Sequence, residues 1–364
     1  MKKEKNSKKG IKTALKIIGI VLLCLVLIVA GYVIYLLAAY HRIGDQTLKA
    51  GRNTEAVCAP GIEYDILSYN IGFGAYEPDY GFFMDGGKQS RAWSKTRLDK
   101  NLNNIAAFLK EQAADFYIVQ EVDIGSTRSY QVDQRTYLSD ALPDMAYTFA
   151  QNYDSPYLFY PIFSPHGASR SGLMTFSFAG ISAAERVELP VEKGLTKFLD
   201  LDRCYSKNYI PADNGRSLVL YNFHLSAYTS DGKIATEQLK LILDDMDAEF
   251  AKGNYCIAGG DFNKDLLGDS SEYFGKADKE YTWAQPIPEG TFDDHNVTLV
   301  APFDESAPVP SCRNADGPYH KGQFVLTVDG FMVTDNVEVL YADVIDIGFA
   351  YSDHNPVKMT FRLN

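Results

Sequence analysis

Cysteine is scarce in this chain, with five in 364 residues. Cys24 lies in an apolar run, and Leu23 before it is not the small residue that a lipidation site needs. The other four, Cys58, Cys204, Cys256 and Cys312, allow three complete pairings, among which sequence does not choose. Cys256, in Tyr255-Cys256-Ile257-Ala258, reads as a small apolar residue of a buried strand. At most one bridge is then left, so disulfides are not the framework of the fold. Internal repeats and low-complexity tracts are also absent, which points to one continuous catalytic-size domain. A positive balance of charge is missing beyond the N-terminus. Residues 1–16 hold seven Lys and one Glu, so the remainder carries about −18 against −12 for the whole. Such a body has no broad cationic face for nucleic acid, although a local basic groove is compatible with it. Divalent cations would help it meet an anionic substrate.

What is present begins with residues 17–40, an uncharged apolar run of 24. About 20 residues at 1.5 Å rise span a hydrocarbon core of ~30 Å, so this run is long enough. The apolar region of a cleavable signal is usually only about 7–15 residues, which favours an uncleaved anchor; Ala38 and Ala39 keep cleavage as the alternative. The lysines place residues 1–16 in the cytoplasm by the positive-inside rule and the body outside it. The expected organisation is a basic cytoplasmic tail over 1–16, a single-pass cell-membrane anchor over 17–40, a linker over 41–59 and a catalytic domain over 60–364. Asp45 to Pro60 reads either as that linker or as a first edge segment.

Strand and helix signals alternate along the body. Tyr64 to Tyr69 reads as a strand ending at Asn70, and Leu98, Leu102, Ile105 and Leu109 recur at helical spacing. Phe116 to Val119 is a short apolar strand that delivers Glu121, and Leu218 to Tyr221 leads to His224. Ile234, Leu241, Ile242 and Met246 mark a second helix, which Gly253 would stop. Tyr255 to Ala258 leads to Asp261, while Val337 to Ile345 and Val357 to Leu363 look like closing strands. The pattern predicts an α/β protein with two packed sheets and helices outside.

Short polar clusters sit where those apolar runs end: Ser68-Tyr69-Asn70, Gln120-Glu121, Asn222-Phe223-His224, Gly260-Asp261-Phe262-Asn263 and Ser352-Asp353-His354-Asn355, with Asp329 before the last. Strand ends can bring such groups to one sheet edge and hold them rigidly. A carboxylate after a buried run, as at Glu121, suits a hard cation such as Mg²⁺, which takes oxygen ligands and usually one or two carboxylates. Asn70 and Asp353 are candidates to complete that shell. Asp261 can orient or deprotonate water, and Asn263 can hold a phosphate oxygen or a metal-bound water. His354 with Asp329 offers an imidazole that a carboxylate keeps protonated, and His224 a second contact to phosphate. Together these are the groups for metal-assisted attack of water on a phosphate ester. Taken singly, each cluster also reads as an ordinary polar turn.

The ordered set Tyr69-Asn70, Gln120-Glu121, His224, Gly260-Asp261-Phe262-Asn263, Asp329 and Ser352-Asp353-His354-Asn355-Pro356 resembles the endonuclease/exonuclease/phosphatase superfamily across about residues 65–363. The resemblance implies a four-layer α/β/β/α sandwich, preceded here by the single N-terminal transmembrane helix. It implies phosphoester hydrolysis with Mg²⁺, or Mn²⁺ in its place. It implies catalytic roles for His224, Asp261, Asn263, Asp329 and His354, and metal binding by Glu121 and Asn70, beside which the residues themselves offer Asp353 as a further ligand. Asn70 and Arg170, in Ser169-Arg170-Ser171-Gly172, are the candidate substrate contacts.

Departures narrow the substrate. Gly72 stands where abasic-site endonucleases of this superfamily carry an acidic residue. The Trp-Cys-Asp-Arg string of its inositol-polyphosphate phosphatases is absent, and Pro310-Ser311-Cys312-Arg313 is a faint echo of it. The expected partners are therefore a membrane, through the N-terminal helix, and a phosphoester that is either a lipid head group or nucleic acid; no protein partner is implied. An extracytoplasmic nuclease and a non-catalytic binding module on the same fold are the alternatives. The aromatic-rich stretch Tyr153 to Phe163 reads equally as a substrate- or membrane-facing loop and as ordinary loop packing.

Overall fold

The computed structural model describes residues 2–192, 202–227, 232–281 and 283–364, with side chains from residue 9 onward. The chain divides into two units, Met1–His41 and Arg42–Asn364. The first is a helix, Lys2–Ala39, so the lysine-rich start continues the apolar segment without a break. From Lys9 to Ala39 this helix is long and apolar enough to cross a membrane. Ile17, Ile18, Leu22, Leu25 and Ile28 are all more than half exposed in the protein itself, an all-round apolar surface that suits lipid rather than a sheet face.

Residues 42–59 belong to the body and are not a free linker. Arg42 donates from Nη2 to Glu188 Oε1 at 2.6 Å, and the Ile43 amide donates to Asp202 Oδ1 at 2.9 Å. Gln46–Thr47 pairs antiparallel with Ala183–Glu188, and the buried Arg186 guanidinium donates to the carbonyls of Ile43 and Gly44. The segment covers what would otherwise be an unpaired sheet edge.

Two sheets make the frame of the body. The seven-stranded sheet runs Gln46–Thr47, Ala183–Glu188, Cys204–Pro211, Ser217–His224, Tyr255–Asp261, Asp329–Thr334, Val297–Val300. The six-stranded sheet runs Val337–Val344, Val357–Leu363, Glu63–Asn70, Phe116–Asp123, Arg170–Ser177, Ala146–Asp154. Each contains one parallel pair joined through a helix: Glu63–Asn70 to Phe116–Asp123 through Lys95–Gln112, and Ser217–His224 to Tyr255–Asp261 through Lys233–Phe250. A parallel pair requires such a crossover, and it brings both C-terminal strand ends to the same edge. In register, Asn70 lies beside Gln120, and His224 beside Asp261.

Three apolar cores separate the layers. Ile66, Phe116, Ile118 and Phe361 of one sheet meet Leu218, Leu220, Ile257 and Phe331 of the other. Ile105, Phe108 and Leu109 cover the outer face of the six-stranded sheet at Tyr69, Tyr117 and Phe176. Ala235, Leu239, Ile242, Leu243 and Met246 cover the other sheet at Val219, Tyr221 and Ala258. Helix, sheet, sheet and helix therefore stack in the four-layer order. Leu241 is a correction: it is 45% exposed, and Leu239 and Leu243 carry the apolar stripe instead. All five cysteines are free, Cys256 among the buried ones.

The same helix is pinned by charge as well as by apolar contact. Lys207 Nζ lies 2.6 Å from Asp245 and 2.9 Å from Glu249. Tyr209 and Asn254 also donate to the fully buried Glu249. Burial alone would raise the Glu249 pKa, but the hydrogen bonds from Lys207, Lys252, Asn254 and Tyr209 bring it down to about 2 from an ordinary 4.5. A carboxyl depressed in this way stabilises the fold above its ordinary value, and the contribution is lost as pH falls toward 2. Glu249→Gln is expected to cost on the order of 2 kcal/mol at neutral pH and to flatten the acid-side loss of stability. Thermal melts of the detergent-solubilised protein between neutral pH and the acid limb read both effects.

Candidate active site

The strand ends converge on one cavity, lined among others by Asn70, Glu121, Arg128, Arg203, His224, Asp261, Asn263, Asp353 and His354. Glu121 reaches it because the strand Phe116–Asp123 bulges between Val119 and Val122, leaving Glu121 at φ 57°. A bulge re-aims a side chain that regular pleating would send elsewhere. Asn263 is also held at positive φ, 48°. Non-glycine residues in that region are costly and concentrate where surrounding contacts fix them. At Gly260 the backbone has φ 142°, and a Cβ there would lie 2.0 Å from the Phe223 carbonyl oxygen. The close approach of Tyr255–Asp261 to Ser217–His224 therefore requires glycine.

Asp261 is the hub. Its Oδ1 accepts the Asn263 amide at 2.8 Å, and its Oδ2 accepts the Asn70 side-chain amide at 3.1 Å. His224 Nε2 and His354 Nε2 lie 3.4 and 3.7 Å from the same Oδ2. Burial, opposed by His354 and reinforced by Asp329, raises the Asp261 pKa to about 7. Asp329 stands beside Asp261 in strand register, and its Oδ2 lies 2.7 Å from His354 Nδ1. Burial would depress His354, yet the Asp329 carboxylate lifts its pKa well above the ordinary value, so this imidazole is protonated at neutral pH. His224 goes the other way: burial, then Arg203 and His354, hold it well below the ordinary value and therefore neutral.

The remaining oxygens face them. Asn70 Nδ2 is 3.4 Å from Glu121 Oε1, while Asn70 Oδ1 accepts the Gly72 amide. In this arrangement Asn70 orients Glu121 and Asp261 through its nitrogen. Asp353 is tied to the strand Glu63–Asn70 through Ser352, whose hydroxyl donates to the Asn70 carbonyl at 2.8 Å and to Asp353 Oδ1 at 3.2 Å. Burial raises both Glu121 and Asp353. Arg128 lies 3.9 Å from Glu121 but is engaged bidentately by the buried Asp123, and its guanidinium stacks 3.9 Å above the Phe73 ring. The carboxylate oxygens of this cavity suit a hard divalent ion. Glu121 and Asp353, with Asn70 beside them, would hold it. Asp261, Asp329 and His354 also lie close enough together to share an ion, but the Asp329–His354 hydrogen bond already uses two of their atoms.

The structure brings Asn70, Glu121, His224, Asp261, Asn263, Asp353 and His354 to one cavity, with Asp329 directly behind His354. Arg170 is not brought there; its side chain is exposed at the start of its strand, outside the lining. The arginines at the cavity are Arg128 and Arg203, which nothing in the sequence singled out, and Arg313, which ends the Pro310 to Arg313 string. Gln120 and Asn222 are not cavity groups but a buried cross-sheet contact, with Gln120 Nε2 donating to Asn222 Oδ1 at 2.9 Å. The string Pro310 to Arg313 turns out to support the site. Ser311 donates to Asp329 Oδ2 at 2.7 Å, Cys312 Sγ lies 3.5 Å from His354 Nε2, and buried Arg313 donates to the carbonyls of Tyr76 and Glu77.

The profile of the Endonuclease/Exonuclease/phosphatase family matches residues 67–354, which include every cluster described above up to His354 of the last. The chain belongs to this family. Members of the endonuclease/exonuclease/phosphatase family are phosphoester hydrolases that generally depend on a metal. Solved structures of the same fold include an endonuclease/exonuclease/phosphatase from Beutenbergia cavernae, 17% identical at a TM-score of 0.54, covering 83% of this chain and 72% of that one. ANGEL2, a 2',3'-cyclic phosphatase in complex with adenosine-2',3'-vanadate, is 15% identical at a TM-score of 0.55, covering 89% and 99%. D. rerio TDP2 complexed with a single-strand DNA product is 15% identical at 0.51, covering 82% and 99%. No curated protein matches the chain by sequence.

The close approach at Gly260 gives a direct check on this geometry. Gly260→Ala should lower stability by about 3 kcal/mol or more, seen as a melting temperature lower by roughly 10 °C. Gly317→Ala, where a Cβ meets only open space, should leave the melting temperature unchanged.

Proposed function

We propose that this chain is a membrane-anchored, Mg²⁺-dependent phosphoester hydrolase, a phosphodiesterase or phosphatase, whose catalytic body lies outside the cytoplasm. One observation carries the reading. The buried carboxyl of Asp261 lies 3.7 Å from Nε2 of His354, whose Nδ1 is 2.7 Å from Asp329, in a cavity whose other wall is carboxylate and amide; burial raises the Asp261 pKa and Asp329 raises that of His354. A base poised near neutral pH and an acid locked in its charged form are what attack of water on a phosphate ester needs.

In this scheme Asp261, held by Asn70 and the Asn263 amide, takes the proton from the attacking water. His354, kept charged by Asp329, donates through Nε2 to a phosphoryl oxygen as negative charge grows on it. Neutral His224 contacts a second oxygen without adding charge, and Asn263 positions the water or phosphate. A divalent cation held by Glu121 and Asp353, with Asn70 orienting the carboxylates, would supply Lewis-acid polarisation of the phosphoryl group. The Lys-rich start followed by the apolar helix supports a cytoplasmic N-terminus and an outside body. The acidic body favours a lipid head group over nucleic acid as substrate, whereas Arg128 and Arg203 at the cavity would serve the nuclease alternative.

Full-length protein in detergent, assayed on sphingomyelin, phosphoinositides, plasmid DNA and RNA, tests this. Turnover of one class is expected with Mg²⁺ or Mn²⁺ and should vanish on chelation. Asp261→Asn should lower kcat by about 10²- to 10⁴-fold while the melting temperature is retained. Turnover that persists after chelation, or an Asp261→Asn variant of unchanged kcat, would overturn the mechanism. Absence of turnover on every class would favour the non-catalytic binding module.

A further inference from the structure

Between the strands Ala146–Asp154 and Arg170–Ser177 lies a loop whose tip is apolar and turned to solvent. Tyr160 is 67% exposed, Ile162 77% and Phe163 101%. From Ser155 to Pro165 the chain has no Asp, Glu, Lys or Arg. Exposed single hydrophobics need no explanation, but an uncharged run with successive large side chains in water does. The loop is braced in this shape. Leu158 and Gly167 exchange both backbone hydrogen bonds, His166 N–H donates to the Tyr160 carbonyl at 3.0 Å, and Ser164 N–H donates to the Pro161 carbonyl at 3.1 Å. Ser90 and Arg91 hold the returning strand through the carbonyls of Ser164 and Pro165.

The tip is also joined to the catalytic cavity. Tyr153 and His166, at the two roots of the loop, line that cavity together with Phe82 and Met84. The Tyr160 ring packs 5.7 Å from Phe83, whose ring in turn lies 5.9 Å from His166. The apolar tip therefore stands at the cavity rim, supported by the residues that form its wall.

We infer that residues 157–163 are an interfacial anchor that dips into a lipid bilayer and seats the mouth of the cavity on it, so that the phosphoester admitted is a lipid head group. The substrate half of this inference rests on the hydrolase reading above; the membrane half does not. Tyrosine beside isoleucine and phenylalanine matches the boundary between head groups and acyl chains, where amphipathic rings and aliphatic groups both find suitable surroundings. The same chain carries the apolar helix Lys9–Ala39, so a bilayer is the apolar phase that the body meets. Nucleic acid is a poor occupant. A strand-binding platform pairs aromatic rings with cations, and this loop has no lysine or arginine while it does present a branched aliphatic side chain.

The test uses the full chain reconstituted in phosphatidylcholine–sphingomyelin nanodiscs. Phe163→Trp places an indole at the tip. A blue-shifted emission quenched by brominated acyl chains is expected, and water-like emission without quenching would overturn the anchor whatever the enzyme does. Ile162→Ser with Phe163→Ser, both at exposed positions, is then compared with the parent on bilayer sphingomyelin and on soluble bis(p-nitrophenyl) phosphate. Hydrolysis of the lipid should fall by about tenfold or more, and hydrolysis of the soluble ester should not change. An equal fall on both would make the loop part of the body's packing and overturn the inference, as would an unchanged rate on both or a loss confined to single-stranded DNA. If the parent cleaves neither diester, the phosphodiesterase reading and the sphingomyelin head group fail together, while the quenching result still decides the anchor.

Discussion

Burying a carboxylate next to a second carboxylate is the constraint around which this body is built. Asp261 and Asp329 lie on adjacent strands in direct register, 2% and 1% exposed. Two such charges in a poorly solvated place cannot both persist without partners from every side. The partners come from four different segments: Asn70 from the other sheet, the Asn263 amide from the turn that follows, Ser311 from a distant loop, and His354 from the last turn before the closing strand. None of these segments can shift alone without stranding a charge. The two sheets are thereby coupled at one edge, and the edge so defined is the cavity.

Registry beneath the cavity keeps that coupling rigid. Gln120 and Asn222 meet between the sheets, and Asn222 donates further to the carbonyls of Val119 and Met174. Amides in an apolar core are costly when unpaired, and although Gln120 Oε1 has no partner, the pairing of Gln120 Nε2 and the Asn222 amide favours this alignment of the two sheets. A slip of one residue would turn Ile118 and Leu220 outward and bring polar neighbours into the core. Gly260 adds the steric half of the same specification, since its strand can approach Ser217–His224 so closely only without a side chain there. Stability and the placing of the site are therefore consequences of a single registration.

The sequence was most legible where chemistry coincides with a strand end. Asn70, His224 and Asp261 each terminate an apolar run, and the periodicity that marks the run also fixes where the polar group must fall; Glu121 follows such a run too, but a bulge and not the period aims it. The crossover helices were legible for the same reason, apart from Leu241, because one position of a 3.6-residue period is easily exchanged for its neighbours when several leucines are available. Groups supplied by loops were not legible. Arg128 and Arg203 reach the cavity through chain paths with no period, and Arg170 has the composition of a phosphate contact without the position of one. Gln120 and Asn222 look in sequence like site residues because they adjoin Glu121 and His224. Asn222 lies two residues before His224, on the same face but deeper between the sheets, and Gln120 is parted from Glu121 by the bulge that re-aims Glu121. The segment 41–59 was ambiguous because an edge strand and a linker share the same polar composition; only the unpaired rim of the sheet decides between them.

Two histidines in one cavity with opposite protonation show how finely burial and charge are balanced there. His224 and His354 both lie within 4 Å of Asp261 Oδ2, and both are buried. Desolvation pushes both toward neutrality. What separates them is the second neighbour: Asp329 stands at 2.7 Å from His354, while Arg203 faces His224 and donates to its backbone carbonyl. A protonated His224 would lie among cations and would draw Asp261 into an ion pair, leaving no base for water. A neutral His354 would leave Asp329 as a bare buried anion and would hold no charge for a phosphoryl oxygen. With His354 charged and His224 neutral, each carboxylate keeps a partner on its Oδ2, and the proposed mechanism has one acid and one base at the cavity. The different roles proposed for the two imidazoles therefore follow from the two residues behind them, not from the histidines themselves.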